Sequence, residues 1–319
     1  MTRGGKQHKQ HATRYANLRH MRISTAVLPL LLRAPPPQAS EPAQHASEPS
    51  FTLISTSLLA QLLAVEQQAC ATSPLPPLRN RYFALRHGQS TSNVEGVISS
   101  NPAVGTVRHG LTTEGRLQAR RAATRLLDAV GRERLGELLF VSSDFRRAEE
   151  TAKEALGALV KIFEFESAVC LGDPERDGAE CDLLVKLPRQ LTHSGVRTST
   201  LLRERWFGEL DGTELRNYNQ VWPRDLVSAA HVHKGAESVD AVTARVRRLV
   251  LELEDEFKHL PRGCTVIFSS HADTLQIAQC YLAGVDPRSF SMYRFRNGEV
   301  RELRQEADSL VEPVPLTYE

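Results

Sequence analysis

Three short apolar runs, each halted by polar residues and each with a helix-spaced segment close behind it, constrain this chain more than any other feature. Tyr82 to Leu85 stops at Arg86-His87-Gly88, Leu138 to Val141 at Ser142-Ser143-Asp144, and Thr265-Val-Ile-Phe-Ser269 at Ser270-His271. Runs this short are strand-sized. After the first, Thr112 to Val130 places Ala119, Ala122, Ala123, Leu126, Leu127 and Val130 at helical spacing, with Thr112 or Thr113 able to cap it and Gly131 able to end it. A helix follows the second run from about Arg146. Val239, Val242, Val246, Leu249, Leu253 and Phe257 form one stripe on another helix, broken by Pro261 and Gly263, and Asp273 to Leu282 is helical after the third run. Strands alternating with helices predict an α/β fold, a three-layer αβα sandwich around a largely parallel sheet. Leu171 to Thr200 has weak periodicity and reads as an insertion over the sheet edge.

The alternation begins only near residue 80. The first forty residues hold seven Lys and Arg and no Asp or Glu, and Pro, Ser and Ala dominate Ala34 to Ser50. Such a segment cannot bury a core of its own. It reads as a transit-peptide-like leader, a poor secretory signal, a plain tail or an extension ahead of Met21, closed by the linker Ser73-Pro-Leu-Pro-Pro77. The expected organisation is therefore 1–79 N-terminal region and linker, 80–305 catalytic domain, and 306–319 tail. Net charge is +2, which suggests neither nucleic acid nor a membrane surface as partner. The apolar stretch Leu53 to Val65 is too short and polar for a membrane span. Five scattered cysteines without a CxxC suit reduced thiols and an intracellular setting, mitochondrial or plastid if the leader is a transit peptide and cytoplasmic otherwise.

In open α/β sheets the ligand crevice lies beyond the carboxyl ends of the strands. That gathers Arg86, His87, Arg147 and His271 from distant segments. Two guanidiniums and two imidazoles together suit an anion, and phosphate matches the arginine fork. A histidine that is neutral near pH 7 can be a nucleophile. Arg146 and Arg147 are adjacent on a helix start and cannot face the same way, so one belongs to the surface. His231 and His233 form an HxH with no further ligands at convincing spacing, so no metal site is expected there. Arg294-Phe-Arg296 reads as a substrate-side basic patch or a solvated strand face.

RHGQSTSN from Arg86, SSDFRRAEETA from Ser142, LLRERWFGELDG from Leu201, GAES from Gly235 and SSHADTLQI from Ser269 resemble, in order, the motifs of the histidine phosphatase superfamily, in its phosphoglycerate-mutase-like branch. The resemblance runs from about Arg81 to Leu303. It implies a histidine-phosphatase-like fold, with His87 as the nucleophile that becomes phosphohistidine and its other ring nitrogen bonded to a backbone carbonyl. Arg86, Arg147 and His271 would hold the phosphoryl group, Glu204 would be the general acid, and Asn93, Gln89 and Ser90 would contact substrate. It assigns the second RHG histidine, His109, to a pocket wall or the surface.

The implied activity is a metal-independent phosphomonoesterase that needs no cofactor, acting on a small phosphorylated metabolite or a phosphoprotein. A mutase-type phosphoryl transfer and a binding pseudoenzyme are the alternatives. Two departures stand out. Ala272 occupies a position where the family usually has Gly, which matters if positive φ is needed there. Gln89-Ser90 stands where many members have Glu-Ser or Glu-Thr.

Overall fold

In the computed structural model, which describes residues 73–171, 186 and 195–314, the first apolar run is strand β1 (Arg81–Arg86). The second is β2 (Leu138–Ser142) and the third is β4 (Thr265–Ser270). Two further strands had no legible signal: β3 (Val196–Thr198), at the end of the expected insertion, and β5 (Val300–Leu303). The sheet order is β3-β2-β4-β1-β5. β4 pairs in parallel with both β1 (Arg81 opposite Thr265) and β2 (Leu138 opposite Thr265). β5 runs antiparallel to β1 and closes that edge.

The alternation of side chains along each strand feeds two cores. Phe83, Leu85, Leu138, Phe140 and Ile267 face helices α1 (Thr113–Val130) and α2 (Arg146–Leu171). Tyr82, Ala84, Leu139, Val141, Val266 and Phe268 face α3 (Val239–Glu256) and α4 (Ala272–Leu282). This is the three-layer αβα arrangement, with strands buried on both faces as parallel sheets require. The expected caps are present. Thr112 Oγ1 accepts from Gly115 N at 3.0 Å, and Gly131 ends α1 with φ of 82°. Ser238 caps α3, accepting from Ala241 N at 3.1 Å.

Residues 1–72 lie outside the described residues, as does most of the 171–200 segment. Among the described residues no helix is long and apolar enough to cross a membrane. Cys264 and Cys280 are free and buried, and burial pushes both thiols up to about 12. Cys170 is disulfide-bonded, so the expectation that all the cysteines are reduced thiols fails at that position.

Candidate active site

β4 lies between β1 and β2, so the carboxyl ends of all three strands open on one place. His87, just beyond β1, is 3% exposed. Its Nδ1 lies 2.8 Å from the carbonyl of Gly88, and its Nε2 accepts from Arg147 Nε at 3.2 Å. A nitrogen that accepts from a guanidinium carries no proton, so the ring proton is on Nδ1 and is donated to the carbonyl. Burial, then the positive charges of Arg147 and Arg86, hold this imidazole well below its ordinary range, so it is neutral at pH 7.

Gly88 allows a close approach. A Cβ there would sit 2.3 Å from Gly115 O, and one on Gly115 would sit 2.0 Å from Gln89 O. The two glycines press the strand-end loop onto the start of α1, fixing the chain that carries His87.

Of the paired arginines, Arg146 is exposed and bonded to Glu150 at 2.8 Å, while Arg147 is buried. Arg147 also reaches Ser99 through Nη1 to Oγ at 3.2 Å and Nη2 to O at 2.8 Å. Burial brings it down to about 10, which leaves it charged. Arg86 is partly buried. Its Nη1 donates to Phe295 O at 2.6 Å, and its Nε has no partner among the described residues. Buried donors without partners are rare, and an incoming oxygen would satisfy this one.

Glu204 lines the same cavity as Arg86, His87 and Arg147, which holds about 210 Å³. Its Oε1 accepts from Arg205 N at 3.0 Å. Burial raises this carboxyl above the ordinary range despite the two arginines.

The remaining expected residues are less uniform. Asn93 lines the cavity, and its Oδ1 accepts from Ser90 N at 3.0 Å. Gln89 and Ser90, expected to contact substrate, do not line it. Ser90 caps the short helix Thr91–Glu95, and Gln89 is tied to α1 through Gln118 and Thr112. Here local folding needs take the two side chains. His271 also lies behind the cavity wall. Its ring is 5.1 Å from that of His87, Nε2 is 2.9 Å from Ser143 Oγ, and Nδ1 has no partner among the described residues. Ala272 opens α4 in helical backbone, so the missing glycine costs nothing there. His109 sits at the edge, with Nδ1 2.8 Å from Ser99 Oγ and φ of 54°.

Tyr218, Trp222 and Asp273 complete the wall. Tyr218 stacks on Trp222 at 4.7 Å, and Trp222 Nε1 donates to Asp273 Oδ2 at 3.0 Å. Asp273 is a second buried carboxyl in the cavity, pushed up to about 7 by burial and by Glu204. Behind it, fully buried Arg205 grips Asp225 through two bonds of 2.6 and 2.9 Å. Among the described residues, no group of three or more His, Cys, Asp or Glu is placed to hold a metal.

The family model of the histidine phosphatase superfamily (branch 1) matches residues 82–167 and 187–312, well over half of the chain. The chain belongs to this superfamily. Its sheet and flanking helices are those of the histidine phosphatase fold. Among solved structures it is similar to a mycobacterial glucosyl-3-phosphoglycerate phosphatase in complex with VO3, at 25% identity over 70% of this chain and 90% of that one, with a TM-score of 0.48. It is likewise similar to mycobacterial hydrolase 1, at 25% identity over 70% and 87%, with a TM-score of 0.47. The alpha-ribazole phosphatase from Shigella flexneri is 23% identical over 70% and 89%, with a TM-score of 0.46. No curated protein matches the chain.

Proposed function

We propose that this chain is a phosphomonoesterase working through a phosphohistidine on His87, with residues 80–305 as its catalytic domain. One observation carries the reading. His87 is held neutral with its proton on Nδ1, and its Nε2 faces the Arg147 guanidinium in a cavity that also contains Glu204. A phosphoryl oxygen that draws Arg147 Nε onto itself frees the Nε2 lone pair. That lone pair attacks phosphorus in line as the ester P–O bond breaks, and Arg86 and Arg147 stabilise the charge spread over the phosphoryl oxygens.

The leaving oxygen takes the proton of Glu204, whose raised carboxyl is suited to hold one. The resulting carboxylate then draws a proton from water. The water oxygen attacks phosphorus, the P–N bond breaks, and its electron pair returns to Nε2. No step of this route calls on a metal. A cavity of about 210 Å³ suits a small ester, since an engineered cavity of ~150 Å³ accommodates benzene.

The test is phosphate release by the full chain on a panel of phosphomonoesters across about pH 5 to 8, beside His87→Ala and His109→Ala. Activity should vanish in His87→Ala and persist in His109→Ala, with wild type quenched in alkaline denaturant carrying acid-labile label from ³²P-substrate on His87. Activity that survives His87→Ala sinks the proposal. Label that passes to an acceptor alcohol rather than to water would favour the mutase.

A further inference from the structure

Arg86, Arg294 and Phe295 line two spaces: the cavity beside His87 and a groove of about 880 Å³ beside β5 and the segment Val311 to Val314. The groove is strongly one-signed. Arg125, Arg296 and Arg301 join Arg86 and Arg294 around it, against Glu299 and Glu312. Glu299 is already engaged, with Oε1 accepting from Arg301 Nε at 2.6 Å and Oε2 from the Arg296 backbone N–H at 2.6 Å. Arg301 is further fixed by Gln279 Oε1 at 3.2 Å and by the Phe295 ring at 4.1 Å. Arg125 and Arg296 are exposed, and neither forms an ion pair among the described residues. Arg125 Nη1 donates to the Gly298 carbonyl, at 3.4 Å.

Scattered surface arginines are ordinary, and each is satisfied by water. This group differs in two respects. Its cations outnumber its carboxylates around a concave surface, where like charges reinforce one another's potential. It also shares a wall with the catalytic cavity, and that wall includes Arg86 with its buried, partnerless Nε. Guanidiniums suit planar, multidentate oxyanions better than point charges. The Arg294-Phe-Arg296 segment lies outside the strands, and its Arg294 and Phe295 belong to that shared wall.

We propose that this groove is a second anion subsite, taking a phosphate or carboxylate group and adjoining the phosphoryl site. The anion is either the distal group of a substrate with two acidic groups or a separate small phosphate. The substrate arm of the test rests on the phosphatase reading above, and the binding arm does not.

Full-length His87→Ala protein titrated calorimetrically with inorganic phosphate is expected to show two sites. Adding Arg125→Glu and Arg296→Glu should leave one, and the gentler pair Arg125→Gln and Arg296→Gln should weaken the same site. In parallel, KM for an ester bearing a second phosphate or a carboxylate is compared with KM for p-nitrophenyl phosphate. A rise in that ratio of about tenfold or more on charge reversal, the effect of roughly one lost charge-assisted hydrogen bond, assigns the groove to the distal part of the substrate. Loss of the second phosphate site with an unchanged ratio assigns it to a separate anion. One phosphate site before and after charge reversal, together with an unchanged ratio, overturns the proposal. If the wild type cleaves no ester at all, the phosphatase reading fails and the phosphate count alone decides the subsite.

Discussion

Asp273 gives the electrostatics of this cavity a measurable consequence. Its carboxyl is 2% exposed, accepts from Trp222 Nε1 at 3.0 Å, and lies 3.7 Å from an Arg205 nitrogen that Asp225 already binds at 2.6 Å. Burial and the neighbouring Glu204 therefore prevail, moving it from the ordinary 3.8 to about 7. A gap of about three pH units corresponds to ~4 kcal/mol. The sign follows from linkage. Between about pH 4 and 7 the unfolded chain has lost this proton while the folded chain keeps it, so stability falls as pH rises through the window and levels off above it.

Asp273→Asn abolishes that slope. Measured by urea denaturation, the stability of the variant relative to wild type should climb by ~2–3 kcal/mol between about pH 5 and 7 and then stay flat. The repulsion between Asp273 and Glu204 is already contained in that shift, and the buried histidines are common to both proteins and cancel. A difference that does not vary with pH would refute the account of a proton held by burial.

Glu204→Gln should lower kcat by ~10²–10⁴, with alkyl esters suffering more than p-nitrophenyl phosphate because the better leaving group needs less protonation. Gly88→Ala places a Cβ 2.3 Å from Gly115 O and should cost ~1–3 kcal/mol, read as a lowered Tm. Arg205→Ala strands the fully buried Asp225 carboxylate and should cost ~3–5 kcal/mol in urea denaturation, with part of the loss returned by removing Asp225 as well.

What the sequence disclosed follows from which signals are local. β1, β2 and β4 and the helices after them were legible because each is one apolar run or one helical stripe with its own cap. The same locality placed Arg86, His87, Arg147 and Glu204 at the cavity, since they stand in or beside recognisable motifs. β3 and β5 were not legible, because three- and four-residue strands of mostly part-exposed or exposed side chains show no distinct period. Gln89 and Ser90 were placed at the cavity by motif membership, whereas their hydrogen bonds go to local structure. Asp273 was legible only as the start of the helix after β4. Its burial depends on Trp222, which sits in a segment without periodicity, so nothing nearby in the chain announced it.

The order of the strands has a consequence for the chain as it is made. β4 sits between β1 and β2, yet its residues emerge from the ribosome long after both. Until Thr265 to Ser270 are synthesised, no strand links β1 to β2, and the core that faces α3 and α4 lacks Val266, Phe268 and the whole of α4. Contacts so distant in sequence slow folding and leave apolar strands exposed to other chains meanwhile. A nascent chain stalled or truncated before Ser270 therefore lacks the centre of its sheet as well as its final motif, and the pocket around His87 is among the last parts of the molecule to take shape.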